Sequence, residues 1–227
     1  MSVPPPTKHL ESQLLQQFGP VMGIDEVGRG AIAGPVAVGA VLIDETCKDA
    51  PDGLADSKLL SERKRENLVY PIRRWCVASA VGWASPAEIS QAGLTAALRL
   101  AGWRALESII EESAAEPACA LLDGKHDWLT PTSSTLFDME GPMLPEVAAA
   151  PIRVVTQIKA DLISQVVAAA SIIAKVERDR YMSALEDPGY HWVSNKGYAS
   201  SVHIDALRTL GPCEHHRLGW KLPGVST

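Results

Sequence analysis

The chain has 227 residues, 46% hydrophobic and 21% charged, the balance of a globular protein with enough length for one domain and a real core. No apolar run approaches the about 20 residues that span a bilayer, and Met1 to Pro20 lacks a signal-peptide core, so no membrane role and a cytoplasmic location are expected. The net charge of −6 argues against a plain nucleic-acid binder, although carboxylates that hold divalent cations make a chain look more acidic than its loaded surface is.

Pro4, Pro5 and Pro6 precede a short polar helix. Val21 to Asp25 is a short apolar stretch that ends in acid. Pro35 to Ile43 is rich in Val and Ala and reads as a buried strand. Between them Gly28 to Gly34 forms a turn, so a β-hairpin begins the sheet. Cys47, Cys76, Cys119 and Cys213 are scattered without a C-x-x-C pair, which indicates neither structural zinc nor a disulfide framework.

Ser61 to Trp75 places Leu68, Ile72 and Trp75 at helical spacing, with Arg63, Lys64 and Arg65 on a solvated face. Pro71 lies inside this pattern and predicts a kink or a split. Val77 to Trp83 reads as a third strand. Ser85, Pro86 and Glu88 spell a helix start with a capping box. A longer helix follows from about Leu94 to Glu112.

Ala118 to Leu122 is a fully apolar strand that stops at Asp123. Gly124 to Ala150 reads as a long loop, and Ile152 to Ile158 as another strand. Leu162 to Leu185 is expected to be the longest helix, buried in its first half and emerging into solvent from Lys175 onward. A short helix from Ser201 to Leu210 and a basic, His-containing tail close the chain. The order of elements predicts an α/β fold, with a hairpin-started mixed sheet and helices packed on it.

Four acids stand in similar places. Asp25 and Glu26 end one strand, Asp123 ends another, and Asp161 opens the long helix. Singly, each has an ordinary explanation, as a turn former or a helix N-cap. Together they suggest a divalent-metal site, because close carboxylates raise one another's pKa and hard cations resolve that repulsion. This converges only if the first and fourth strands are neighbours.

The segment Gly23-Ile24-Asp25-Glu26-Val27-Gly28-Arg29-Gly30 resembles the signature of ribonuclease HII, the type 2 ribonuclease H family. Five further matches follow in the family's order: Leu54 to Lys58, Leu121 to Gly124, Ala169 to Lys175, Lys196 to Tyr198, and Glu214 to Arg217. They reach from about residue 20 to residue 220.

The resemblance implies a ribonuclease H-like mixed β-sheet flanked by helices, with a small helical C-terminal portion. It divides the chain into an N-terminal extension over 1–19, a catalytic domain over 20–190 and a C-terminal helical portion over 191–227. It implies four metal ligands, Asp25, Glu26, Asp123 and Asp161, holding two Mg²⁺ or Mn²⁺ ions. Asp25 and Asp123 would be shared between the ions. The implied substrates are RNA/DNA hybrids and duplex DNA with embedded ribonucleotides, cut on the 5′ side to leave a 3′-hydroxyl and a 5′-phosphate. A monomer and a role in DNA repair are expected, and no protein partner is indicated.

By the same resemblance, backbone groups of Gly28, Arg29 and Gly30 read the 2′-hydroxyl, and Tyr198 stacks on the sugar at the junction with DNA. An ordinary hairpin turn would need a glycine but has no use for Arg29. Lys58, Lys175 and Lys196 are candidate phosphate contacts, Lys58 foremost. His215 and His216, adjacent in an extended segment, point opposite ways and do not make a metal pair.

The chain departs from the family pattern at Leu59, at Leu218-Gly219-Trp220, at Pro71 and in the loop from Lys125 to Pro145. None of these touches the four acids. Two rival readings are a general DNA nuclease on the same fold and a catalytically dead binding protein. The Gly-Arg-Gly loop with Tyr198 speaks against the first, and retention of all four acids against the second.

Overall fold

The computed structural model describes residues 4–131 and 152–225. The expected long loop over 124–150 falls outside the described residues beyond position 131. Five strands, β1 (Val21–Val27), β2 (Val36–Ile43), β3 (Ala78–Ala84), β4 (Cys119–Asp123) and β5 (Arg153–Gln157), form one sheet in the order β3-β2-β1-β4-β5. The first three make an antiparallel meander. β4 and β5 join parallel to β1, so the sheet is mixed, as expected.

Alternate residues of the central strands serve two separate cores. Val21, Val41, Ile43, Cys119 and Leu121 face one side. There they meet α1 (His9–Phe18), α2 (Glu62–Trp75) and α6 (Gln165–Ala184). Met22, Ile24, Val38, Leu42, Ala120 and Leu122 face the other side and meet α3 (Pro86–Ala92) and α4 (Leu94–Ser113). Burial on both faces explains why β2 is apolar throughout rather than alternating. A third cluster joins Trp192, Leu207 and Leu222 of the C-terminal portion to Tyr190, Met182, Ile32 and Ala33. It contains α7 (Trp192–Asn195) and α8 (Ser201–Leu210).

The capping box at Ser85 and Glu88 is present in full, with Pro86 at the first helical position. Three expectations need correction. Pro71 does not split its helix, which runs as one span. Leu68, Val69 and Ile72 hold the helix to the core, and the ion pairs Arg73–Glu177 and Arg180–Glu66 fasten it to α6. The helix expected from Leu162 is interrupted. A single turn, α5 (Ala160–Ile163), precedes Ser164 in extended conformation (φ −110°, ψ 129°), and α6 starts at Gln165.

The break has a physical cause in the first amides of α6. Buried Glu11 accepts from the Gln165 and Val166 amides at 2.8 and 3.2 Å, and Ser164 Oγ accepts from Val167 at 3.4 Å. Asp161 is therefore not the N-cap of the long helix, and it is free for other work. The third correction concerns the second half of α6, which does not emerge wholly into solvent. Arg178 is fully buried and Asp179 nearly so.

α6 lies very close to the sheet because two glycines face it. A Cβ on Gly23 would come within 2.6 Å of the Val166 backbone, and one on Gly39 would overlap the Ala170 carbonyl. This approach sets the height of Ser171 and Lys175 above the strand ends. Gly39→Val should therefore lift α6 and destabilise the protein by about 2 kcal/mol or more, in the range of an overpacked core. The midpoint of urea unfolding measures it, and an unchanged midpoint would contradict the packing described.

Candidate active site

Parallel pairing aligns Ile24 of β1 with Leu122 of β4, so Asp25 and Asp123 come side by side where β4 stops, while β1 continues to Val27 against β2. Asp123 then turns onto the next element, its Oδ1 accepting from the Ala160 amide at 2.7 Å. That bond holds α5, on which Asp161 sits. Lys58 bridges toward the same place, with Nζ at 3.2 Å from Asp161 and 3.7 Å from Asp56. Asp56 also caps the 3-10 turn Ser57–Leu59 by accepting from the Lys58 amide at 2.9 Å.

These residues open on a cleft of about 380 Å³. Asp25, Glu26, the 28–30 loop, Lys58, Asp123, Lys175 and Tyr198 line it, along with Ser57 and Ser171. Asp161 is not in the lining and reaches the cluster through Lys58. Lys196 is not in the lining either, since its side chain donates to Ser183. Arg65 departs from the expected solvated face and turns inward, donating to the Ser57 and Leu60 carbonyls at 3.0 and 2.6 Å.

Crowding of like charge away from water governs the electrostatics. Burial pushes the Asp25 carboxyl up to about 8, against a hydrogen bond from Ser171 and with help from the charges of Glu26 and Asp123. Burial likewise raises Glu26, opposed by Arg29. It raises Asp161 too, together with the Asp123 and Asp56 charges. An all-oxygen donor set whose charge is unfavourable on its own suits a hard divalent cation.

Among the described residues, no three acidic, histidine or cysteine side chains meet around one point. The acids turn instead to local partners: Glu26 to Arg29 at 3.1 Å, Asp161 to Lys58, and Asp123 to the Ala160 amide. The residues fit a cation by donor chemistry and mutual repulsion.

Opposite the acids, Gly28 and Gly30 owe their identity to different things. Gly28 has φ +82°, and a Cβ there would overlap the Arg178 guanidinium, so the fold itself demands a glycine. A Cβ on Gly30 would meet nothing within 4 Å. Its bareness leaves room in the cleft, where a ligand would approach. The Ile32 and Ala33 amides donate to the Gly197 carbonyl at 2.9 and 3.1 Å, tying this loop to the turn that carries Tyr198. The Tyr198 ring centre lies 5.5 Å from the Arg178 guanidinium carbon and 6.0 Å from Lys175 Nζ.

A buried histidine pair supports Tyr198 from behind. The Cys213 amide donates to His216 Nδ1 at 3.0 Å, so His216 carries its proton on Nε2, which faces His203 Nε2 at 3.0 Å. His203 must then carry its proton on Nδ1, donated to the Tyr198 carbonyl at 2.8 Å. His216 is thus structural, and His203 was not singled out from sequence. Ser57, Ser171, Arg178 and Arg217 were also missed as contributors. Ser57, Ser171 and Arg217 lie in the matched motifs, yet nothing in their spacing shows what they touch.

A family model described as Ribonuclease HII matches residues 22–222. The chain belongs to the ribonuclease HII family. Ribonuclease HII from Streptomyces griseus subsp. griseus is 44% identical over 227 residues, covering 97% of this chain and 86% of its own. That from Streptomyces avermitilis is 42% identical over 224 residues, covering 97% and 85%. The ribonuclease H2 of Pyrococcus horikoshii OT3 superposes with a TM-score of 0.66 at 25% identity, over 90% of this chain and 95% of that one. The PCNA:RNase HII complex of Archaeoglobus fulgidus gives 0.62 at 30% identity, over 89% and 95%. Ribonuclease HII enzymes are nucleases that cleave RNA in RNA/DNA hybrids. No described helix is long and apolar enough to cross a membrane.

The histidine pair makes a pH prediction for this chain. Burial, then the neighbouring His203, depress His216 to about 4 from an ordinary 6.5. Below 6.5 the unfolded chain binds the proton first, so the stability of the neutral pair is complete above that pH and is lost as pH falls toward 4. The Asp25 carboxyl, raised to about 8, contributes the opposite slope over this range, so the pair is read as a difference: in melting followed by intrinsic tryptophan fluorescence, the midpoint should fall further, or rise less, from pH 6.5 to 4 in the parent than in a His216→Gln variant. An equal change of midpoint in parent and variant would contradict the assignment.

Proposed function

We propose that this chain is a metal-dependent endoribonuclease that cuts RNA in RNA/DNA hybrids and on the 5′ side of ribonucleotides embedded in duplex DNA. The carrying observation is the juxtaposition in one cleft of crowded carboxylates, a bare glycine loop and an aromatic ring. The acids alone suit any phosphoryl-transfer site. The glycine loop and Tyr198 are useful only where a sugar must be inspected closely, which favours a ribonuclease over a general DNA nuclease.

In this reading Asp25, Glu26, Asp123 and Asp161 would hold two Mg²⁺ or Mn²⁺ ions. Such ions supply an activated water and charge stabilisation at the scissile phosphate. The protein's own part is positional. Ser171 and the β1–β4 pairing fix Asp25, the Ala160 amide fixes Asp123, and Lys58 exchanges its carboxylate partners for a substrate phosphate. Lys175 lies where a second phosphate would run. Tyr198 offers its face to the sugar on the DNA side, and the Arg29 and Gly30 amides address the 2′-hydroxyl. The catalytic domain over 20–190 then carries the chemistry, and the portion over 191–227 brings Tyr198 to it. The 1–19 segment is read as an N-terminal extension. The protein acts as a cytoplasmic monomer in ribonucleotide removal from DNA.

The test is a labelled DNA duplex with one ribonucleotide, incubated with the protein and Mg²⁺ or Mn²⁺ beside an all-DNA control. The expected result is one cut 5′ of the ribonucleotide, absent from the control and abolished by EDTA. Asp123→Asn should lower turnover more than about a hundredfold, since even outer partners of metal ligands contribute up to about that much, while duplex binding persists. Cutting of both duplexes would replace this reading with a general nuclease, and binding without cutting would replace it with a binding protein.

A further inference from the structure

Two arginines lie fully buried behind the cleft, Arg178 on α6 and Arg217 in the C-terminal tail. Neither forms an ion pair among the described residues. A buried cation without a carboxylate is costly unless its donors are well satisfied, and burial followed by the Arg178 charge lowers Arg217 to about 9. Their donors are indeed satisfied, and by one kind of acceptor.

Arg217 donates to the Gly28 carbonyl at 2.6 Å, the Arg29 carbonyl at 3.0 Å and the Gly34 carbonyl at 3.2 Å. Arg178 donates to Ala33, Pro35 and Lys196 carbonyls at 3.2, 2.9 and 3.0 Å. Between them the two guanidiniums grip the β1–β2 connection and the turn before Tyr198.

The direction of the grip matters. In a planar trans peptide the carbonyl and the following amide point opposite ways, and the described chain has no cis bond. Drawing the Gly28 and Arg29 carbonyls inward onto Arg217 turns the Arg29 and Gly30 amides outward, toward the cleft these residues line. Among the described residues neither amide has an acceptor. A guanidinium suits this task because its rigid, planar fork addresses several carbonyls at once, which a lysine cannot do.

We propose that Arg217, seconded by Arg178, is a positioning residue for sugar recognition: it clamps the 28–35 loop from behind, so that the Arg29 and Gly30 amides face the 2′-hydroxyl opposite Tyr198. The inference rests on the ribonuclease reading above and deepens it. The clamp acts on discrimination between ribose and deoxyribose, not on the acids.

The test compares duplex affinities in an Asp123→Asn background, where substrate survives. Dissociation constants are measured for a duplex with one ribonucleotide and for the all-DNA duplex. Arg217→Lys keeps the charge and loses the fork. It should cut the preference for the ribonucleotide duplex by roughly tenfold, the scale of one net hydrogen bond, while affinity for all-DNA duplex stays the same. Unchanged preference in Arg217→Lys would overturn the clamp and leave the ribonuclease reading standing. No preference in the Asp123→Asn parent would sink that reading and the clamp with it.

Should Arg217→Lys fail to fold by circular dichroism, amide hydrogen exchange in the Asp123→Asn parent decides. The ribonucleotide duplex should slow exchange at Arg29 and Gly30, and the all-DNA duplex should not. Equal effects of the two duplexes would overturn the proposal.

Discussion

Parallel pairing of β1 with β4 is the constraint to which the rest of the site responds. It places Asp25 beside Asp123 where β4 stops, and the helices on both faces of the sheet keep water from Asp25. Like charges in a poorly hydrated place repel strongly. Each neighbouring group can be read as an answer to that field. Lys58 and Arg29 bring positive charge, Ser171 brings a hydroxyl, and the Ala160 amide brings a backbone dipole. A structure that concentrates unfavourable charge in this way stays foldable because the surrounding core is extensive on both sides of the sheet.

α6 is the spine that transmits this arrangement to the substrate side. Ser171, Lys175, Arg178 and Met182 stand at spacings of four, three and four along it, and therefore share a face. That face touches, in turn, the acid cluster, the cleft, the 28–35 loop and the C-terminal cluster. One helix seated on two glycines thus sets the distance between the carboxylates and the loop. Catalytic and recognition elements are held by a single rigid body rather than by separate loops.

The strands, the capping box at Ser85, the hairpin and the place of Asp25, Glu26 and Asp123 near the ends of β1 and β4 were legible in the sequence because each depends on local pattern: apolar runs, turn residues, and acids where a run stops. The helix break at Ser164 was not, because its cause is Glu11, 154 residues away in the contact to Gln165. Burial of Arg178 was equally hidden, since a basic residue among Lys175, Glu177 and Arg180 looks like any solvated face until the carbonyls it serves are brought beside it. Pro71 misled for a related reason, as tertiary packing on Leu68 and Ile72 outweighs one lost backbone bond. Local rules failed where long-range partners supply the satisfaction.

The contact between Glu11 and the start of α6 has a bearing on how the chain acquires its structure. Leu14 and Leu15 belong to the core, and Thr7 bridges to Ser164, so this segment makes contacts with one synthesised more than 150 residues later, as Glu11 does with Val166. During translation that helix cannot complete its contacts until α6 has been made. Closing so long a loop is entropically slow. The turn bearing Asp161 lies directly before the junction that this closure seals. Completion of the acid cluster is thereby coupled to a long-range step of folding, so a partly made chain would carry the sheet without a finished site.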